Sequence, residues 1–208
     1  MSQATPSPSP PTLAFYWARN SRAFRIAWLL EELGQPYRRE VIDIRVPVAE
    51  RPAHFLSISP MGKVPVLEDG EAVLTDSGAI CIWLADRFPQ AGLAPPAGTP
   101  ARARWLQWVL YTNTVVEPSM AEKFAGLESR PSSYGWGSFE LMLATFKKQL
   151  AAGPWILGES FSSADVLMGT SALYLVQFGL AKGDSVLEAY VARCQARPAF
   201  QRAQAFDA

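Results

Sequence analysis

Residues 90–100 read QAGLAPPAGTP, a proline- and glycine-rich stretch that neither a helix nor a strand can absorb, and it splits the 208-residue chain into two unlike segments. A domain boundary belongs there, with one domain at 12–89, the linker at 90–100 and a second domain at 101–208. In the first segment short apolar runs alternate with helical periodicity. Leu13-Ala14-Phe15-Tyr16-Trp17 is short, apolar and aromatic, as a buried strand should be. Ser21 is placed to N-cap a helix in which Phe24, Ala27, Trp28, Leu30 and Leu33 recur at helical spacing before the stop at Gly34. Residues 37–42 predict a second strand, and 47–57 an irregular helical stretch broken by Pro52. Val64-Pro65-Val66-Leu67, a turn at Glu68-Asp69-Gly70, and Ala72-Val73-Leu74 predict a hairpin. Asp76-Ser77 opens a further helix that ends before Pro89, so the predicted order is β-α-β-α-β-β-α.

Beyond the linker every periodic segment is helical. Trp105, Trp108, Val109 and Thr112 define a helix over 101–117 that Pro118 ends or kinks, and helices at 139–150, 164–178 and 186–197 follow. Ser162 with Asp165 is a capping-box variant, and Phe161 with Val166 has the spacing of a hydrophobic staple. That pair is structural, and losing either polar side chain should cost about 0.5–2 kcal/mol.

Charge and side-chain chemistry narrow the function. The 19 basic and 19 acidic side chains cancel, which excludes nucleic-acid binding as a main activity and polybasic attachment to membranes. Residues 1–11 alternate Ser and Pro and read as a flexible tail without a basic or apolar leader segment. No long apolar run offers a membrane span, so a cytoplasmic protein is expected. Cys81 and Cys194 belong to no CxxC, which leaves a disulfide framework, a structural metal and a redox pair without ligands. The sole histidine, His54, has neither a nucleophile nor an orienting acid beside it in sequence and is read as structural.

Three motifs in this order resemble the cytosolic glutathione transferase family: Ser57-Ile58-Ser59-Pro60-Met61-Gly62-Lys63-Val64-Pro65-Val66-Leu67, then Leu74-Thr75-Asp76-Ser77-Gly78-Ala79-Ile80, then Phe161-Ser162-Ser163-Ala164-Asp165. The resemblance spans about residues 12–200. It implies an α/β thioredoxin-like N-terminal domain with a mixed sheet and a cis-proline, followed by an all-α C-terminal helical bundle. It also implies a cis Val64-Pro65 bond, glutathione as cosubstrate without a metal, a small hydrophobic electrophile as second substrate, a detoxifying role and a homodimer formed through the third and fourth helices.

Each implied site residue has a physical reading. Val64 N–H and C=O, turned outward at the proline, can pair antiparallel with an extended peptide such as glutathione. Asp76-Ser77 at a helix start is either an ordinary N-cap or a socket in which Ser77 and the helix N-terminus take an α-carboxylate and Asp76 the α-ammonium. Lys63 either reaches the glycine carboxylate or is merely solvated. A free thiol, with a pKa of about 8.5, is only about 3% thiolate at neutral pH, so the site must stabilise the anion. The donor belongs just after the first strand, in Ala18-Arg19-Asn20-Ser21-Arg22. Ser21 supplies a hydroxyl there and Asn20 an amide. The absence of a cysteine in this window argues against thiol exchange through a protein mixed disulfide. Trp17, Tyr111, Met120 and Phe124, with Thr112, Val115 and Trp136, are the candidate apolar wall for the electrophile. Two alternatives stay open: a maleylacetoacetate-type isomerase using glutathione catalytically, partly echoed by Arg19, Ser21 and Arg25, and a non-catalytic interaction module.

Overall fold

The computed structural model describes residues 13–207, so the expected tail at 1–11 lies outside the described residues. A four-stranded mixed sheet in the order β2-β1-β3-β4 is built from β1 (Leu13–Trp17), β2 (Tyr37–Val41), β3 (Val66–Asp69) and β4 (Ala72–Thr75). β1 runs parallel to β2 and antiparallel to β3, and β3 and β4 form the hairpin. The helix α1 (Phe24–Leu33) crosses from β1 to β2, α2 (Ala53–Ile58) precedes the hairpin, and α3 (Ser77–Arg87) follows it. The predicted element order therefore holds, and the sheet is the mixed sheet of a thioredoxin-like fold.

β1 is central, so all five of its residues are buried and its alternation sorts them between two cores. Leu13, Phe15 and Trp17 join the large core, whereas Ala14 and Tyr16 join a small one closed by Ile42, Phe55 and Val66. The hairpin turn falls one position later than expected, at Gly70-Glu71 with Gly70 at φ 61°, because Asp69 stays in register opposite Leu13 and Ala72. Its carboxylate accepts from Trp83 Nε1 (3.0 Å) and Arg87 Nε (3.3 Å), which ties that end of β3 to α3.

The second segment is helical throughout. It contains α4 (Pro100–Tyr111), α5 (Glu117–Ala125), α6 (Phe139–Leu150), α7 (Ser163–Gln177), α8 (Ser185–Gln195) and α9 (Pro198–Asp207). Pro118 neither ends nor sharply breaks the first of these. Lacking an N–H, it forces the chain to widen into a π turn over Thr112–Val116, where the Glu117 N–H reaches back five residues to the Thr112 carbonyl. The side chains of Thr114 and Ser119 also bond back to the Leu110 (2.9 Å) and Val115 (2.7 Å) carbonyls.

α9 was not foreseen from periodicity. It is anchored by Phe200, which packs edge-on against Trp28 (5.0 Å) and Phe24 (5.1 Å), and by the bidentate pair of the preceding Arg197 with Glu32 (2.6 and 2.7 Å). The large core is continuous through both segments. Gly169 of α7 permits the closest approach, since a Cβ there would stand 2.6 Å from Cys194 Sγ and 3.4 Å from the Trp28 ring. The capping box at α7 forms as expected, and Asp165 does more than cap. Besides Ser162 N–H (2.9 Å), it accepts from Ile156 N–H (2.6 Å) and the Tyr190 hydroxyl (2.8 Å).

Candidate active site

The end of the sheet where β1 hands over to α1 faces α3 and the π turn across a cavity of about 640 Å³. Asn20, Ser21, Lys63, Val64, Pro65, Asp76 and Ser77, all singled out in the sequence, line it together.

One wall is the segment before β3. The Val64-Pro65 bond is cis, and Val64 N–H and C=O make no backbone hydrogen bond outside the helices and strands among the described residues. The loop leading to it is fixed by Ser59, whose hydroxyl donates to the Lys63 carbonyl (2.9 Å). Arg51 completes the tether by donating to the carbonyls of Gly62, Ile44 (2.8 Å) and Val46 (3.1 Å). With both terminal nitrogens of its guanidinium spent on carbonyls, Arg51 leaves Lys63 as the cation of this wall without a side-chain hydrogen bond or ion pair among the described residues.

Asp76 forms the second wall, at φ 79° and ψ 126°, a backbone conformation that costs an L-residue about 1–3 kcal/mol. Its Oδ1 accepts from Gly78 N–H (2.8 Å) and Ala79 N–H (3.4 Å), capping α3, and its Oδ2 accepts from Asn113 Nδ2 (2.5 Å) of the π turn. Ser77 follows, buried at the first turn of α3. A carboxylate beside a hydroxyl at the positive end of a helix matches the charges of a free amino-acid terminus.

Asn20 and Asp76 are the non-glycine residues with positive φ among the described residues, and both face this cavity. Asn20, at φ 53°, turns the β1–α1 loop, and its amide makes no side-chain hydrogen bond among the described residues. Ser21 corrects an expectation: it does not N-cap α1, which begins three residues later after Ala23. Its hydroxyl instead donates to the Ala18 carbonyl (2.7 Å) and accepts from Ala23 N–H (3.1 Å), bracing the loop. Behind this loop Glu117 accepts from Arg25 (2.6 Å) and Arg22 (2.9 Å), with Arg25 buried and Arg22 half-exposed. Burial pushes the Glu117 carboxyl up, but the Arg25 charge and the Arg22 hydrogen bond outweigh it and hold the group below the usual carboxylate range.

A second cavity of about 470 Å³ opens on the other side of the same loop, sharing Asn20, Ser21 and Arg22. Its walls are aromatic: Phe24 of α1, Tyr174 and Phe178 at the end of α7, and Phe200 of α9. The expected apolar wall is largely elsewhere. Trp17 is buried against Phe206 because odd positions of β1 face the large core, Met120 is buried in that same core, and Tyr111 packs on Trp108 while its hydroxyl donates to the Met142 carbonyl (3.2 Å). None of the three lines either cavity. Phe124 is exposed and reaches the second cavity's margin by packing edge-on against Phe178 (5.8 Å).

Neither cysteine takes part. Both are buried, and burial pushes the Cys81 thiol up to about 12 and raises Cys194 as well. His54 lies at neither cavity; its ring meets the Tyr16 hydroxyl (3.1 Å) and Glu68 (3.4 Å) beside the small core. The Tyr16 phenol, pushed up to about 12 by burial and by its bond to Glu68, stays protonated in that cluster.

A family profile described as the glutathione S-transferase N-terminal domain matches residues 21–87. The crystal structure of a glutathione transferase from Methylococcus capsulatus strain Bath superposes with a TM-score of 0.78 at 31% identity, covering 94% of this chain and 98% of that one. The chain belongs to the glutathione transferase family. A sphingomonad glutathione S-transferase complexed with glutathione is 25% identical, with a TM-score of 0.77 over 93% of this chain and 98% of that one. The disulfide-bond oxidoreductase YfcG of Escherichia coli K12 is 29% identical over 164 residues, 73% of this chain and 74% of that protein. Within this family fold, Asn113, Glu117 and Arg51 are the site residues that motif reading missed. The one sequence signal for the first two was Pro118 inside a helical pattern.

Proposed function

We propose that the protein is a glutathione transferase that binds glutathione in the first cavity and presents its thiolate to a small hydrophobic electrophile in the second. The observation that carries the reading is the Asn20-Ser21-Arg22 loop, which is the shared wall of a polar and an aromatic cavity. Glutathione lies with its cysteinyl backbone on Val64, its γ-glutamyl ammonium at Asp76, its α-carboxylate at Ser77 and its glycine carboxylate toward Lys63. That pose directs the sulfur to the loop. Asn20, with an uncommitted amide, is favoured over Ser21 as the thiolate donor, because the Ser21 proton is engaged by Ala18.

The same geometry favours transfer to an apolar electrophile over reduction of a glutathione disulfide. A second glutathione would bring two carboxylates into a cavity whose cation among the described lining residues is Arg22, already paired with Glu117. Phe24, Phe178 and Phe200 instead offer stacking faces for an aryl or alkyl group. The reading includes a cytoplasmic homodimer with residues 12–89 and 101–208 as its two domains. Val73, Trp83 and Leu110, exposed on β4, α3 and α4, offer apolar side chains for association.

The test is steady-state turnover of glutathione with an activated aryl chloride, alongside calorimetric binding of glutathione alone. The reading expects binding, and turnover that rises as the aryl group becomes more apolar. Tight glutathione binding with no turnover of any apolar electrophile would overturn it.

A further inference from the structure

The π turn at Thr112–Val116 buries Thr112 and Val116 and places two polar side chains, Asn113 within it and Glu117 directly after it, on the lining of the first cavity. Asn113 Nδ2 donates to Asp76 Oδ2 at 2.5 Å, at the start of α3. Glu117, the residue directly after the π turn, accepts from Arg22 and Arg25, at the start of α1. These are long-range ties between the helical segment and the two loops that the glutathione pose depends on. π turns recur at functional sites, where the extra residue re-aims side chains that a regular helix would point elsewhere.

Both ties are tight and neither is fully satisfied. Asn113 Oδ1 and Arg25 Nε are buried without a hydrogen-bond partner, a cost that a purely structural contact would be expected to shed. Arg25 is 1% exposed, so its charge depends on Glu117 to stay buried.

Resting on the glutathione reading above, we propose that the π turn is a positioning device for catalysis. In it Asn113 sets the Asp76 carboxylate against the γ-glutamyl ammonium, and Glu117, through Arg22 and Arg25, holds the Asn20-Ser21 loop where the thiolate forms. Both are positioning residues, since each acts through another side chain. One rigid turn thereby fixes the spacing between the amino-acid socket and the thiolate donor.

The two arms predict different signatures. Asn113→Ala should weaken glutathione binding about tenfold, the worth of a charge-assisted contact held out of line, and leave the thiol pKa of bound glutathione unchanged. Glu117→Gln should leave the affinity for the protonated thiol, measured at a pH below the bound thiol pKa, within about twofold and raise that pKa toward its free value of about 8.5, because the loop donor is released. Simple charge removal predicts the opposite sign, since deleting a nearby carboxylate favours a thiolate. Should burial of Arg25 make Glu117→Gln unstable, Glu117→Asp keeps the charge while shortening the reach. It should also raise the thiol pKa, whereas a charge effect would leave it in place.

Calorimetry gives the affinities and the ultraviolet absorbance of bound thiolate against pH gives the pKa. A thiol pKa that falls in Glu117→Gln and is unmoved in Glu117→Asp, or an Asn113→Ala protein that binds as the wild type does, overturns the positioning proposal while leaving the transferase reading intact. Failure of the wild type to bind glutathione overturns both.

Discussion

Replacing Asp76 by Asn and by Ala separates the capping task of its carboxylate from the ammonium-binding task proposed for it. As a cap, Asp76 satisfies Gly78 and Ala79 N–H, and Asn at an N-cap is about as good as Asp. Asn also shares the tolerance of positive φ that position 76 demands, whereas Ala does not. The bond from Asn113 survives the first change, because Asn113 can turn its amide and offer the now unpartnered Oδ1 to the new Nδ2. Asp76→Asn should therefore change stability by less than about 0.5 kcal/mol. What it removes is the negative charge proposed to face the γ-glutamyl ammonium, a contact worth about 1.5–3 kcal/mol, so glutathione affinity should fall roughly 10- to 150-fold. Asp76→Ala loses the same charge, the cap at about 1 kcal/mol and the backbone tolerance at about 1–2 kcal/mol. At about 2–4 °C per kcal/mol for a chain of this size, its melting temperature should drop by about 4–12 °C. Calorimetry and thermal denaturation, run on both variants, read the two effects separately. Wild-type affinity in Asp76→Asn would refute the ammonium assignment, and a melting temperature in Asp76→Asn as low as in Asp76→Ala would refute the capping argument.

Asp165→Ala should destabilise by at least about 3 kcal/mol, because it orphans the buried N–H groups of Ile156 and Ser162 and the Tyr190 hydroxyl at about 1–3 kcal/mol each; chemical denaturation measures it, and a loss below about 2 kcal/mol, the upper end for a simple cap, would refute the network. Glu117 titrates below its ordinary value of 4.5 in the folded protein, so its contribution to stability is full above that value and is lost as the pH falls through the depressed one. In Glu117→Gln the acid limb of a stability-against-pH curve should accordingly be shallower, and an unchanged limb would contradict the pairing with Arg22 and Arg25. The two cysteines should resist an aromatic disulfide reagent in the native protein and react fully in denaturant, since both thiols are buried with raised pKa values.

The parts of the fold written in local pattern were legible, and those written in contacts between segments were not. Strand β1, helix α3 and the capping box at Ser162 and Asp165 announce themselves through apolar runs and capping residues within a few positions of each other. The helix start at Asp76-Ser77, which lines the first cavity, was readable for the same reason, since the two residues are adjacent and open a helix. Asn113 and Glu117 reach partners 37 and 92 to 95 residues away in sequence, and nothing near them but Pro118 hints at it. Which aromatic residues line a cavity was not legible, because aromatic residues at helical spacing serve the core or a cavity equally well in sequence. Trp17 and Met120 went to the core, while Phe24 and Phe200 meet at the second cavity through the unforeseen packing of α9 on α1.

A glutathione thiolate held by the β1–α1 loop is the central feature of the proposed site. Titrating the ultraviolet absorbance of the glutathione thiolate bound to the wild type and to Asn20→Gly, which keeps the positive φ but removes the amide, measures that anion without any second substrate. The bound thiol should titrate below the free value of about 8.5 in the wild type and return toward that value in Asn20→Gly with binding retained. A bound thiol that titrates in the wild type as it does in free solution would contradict that role of the loop.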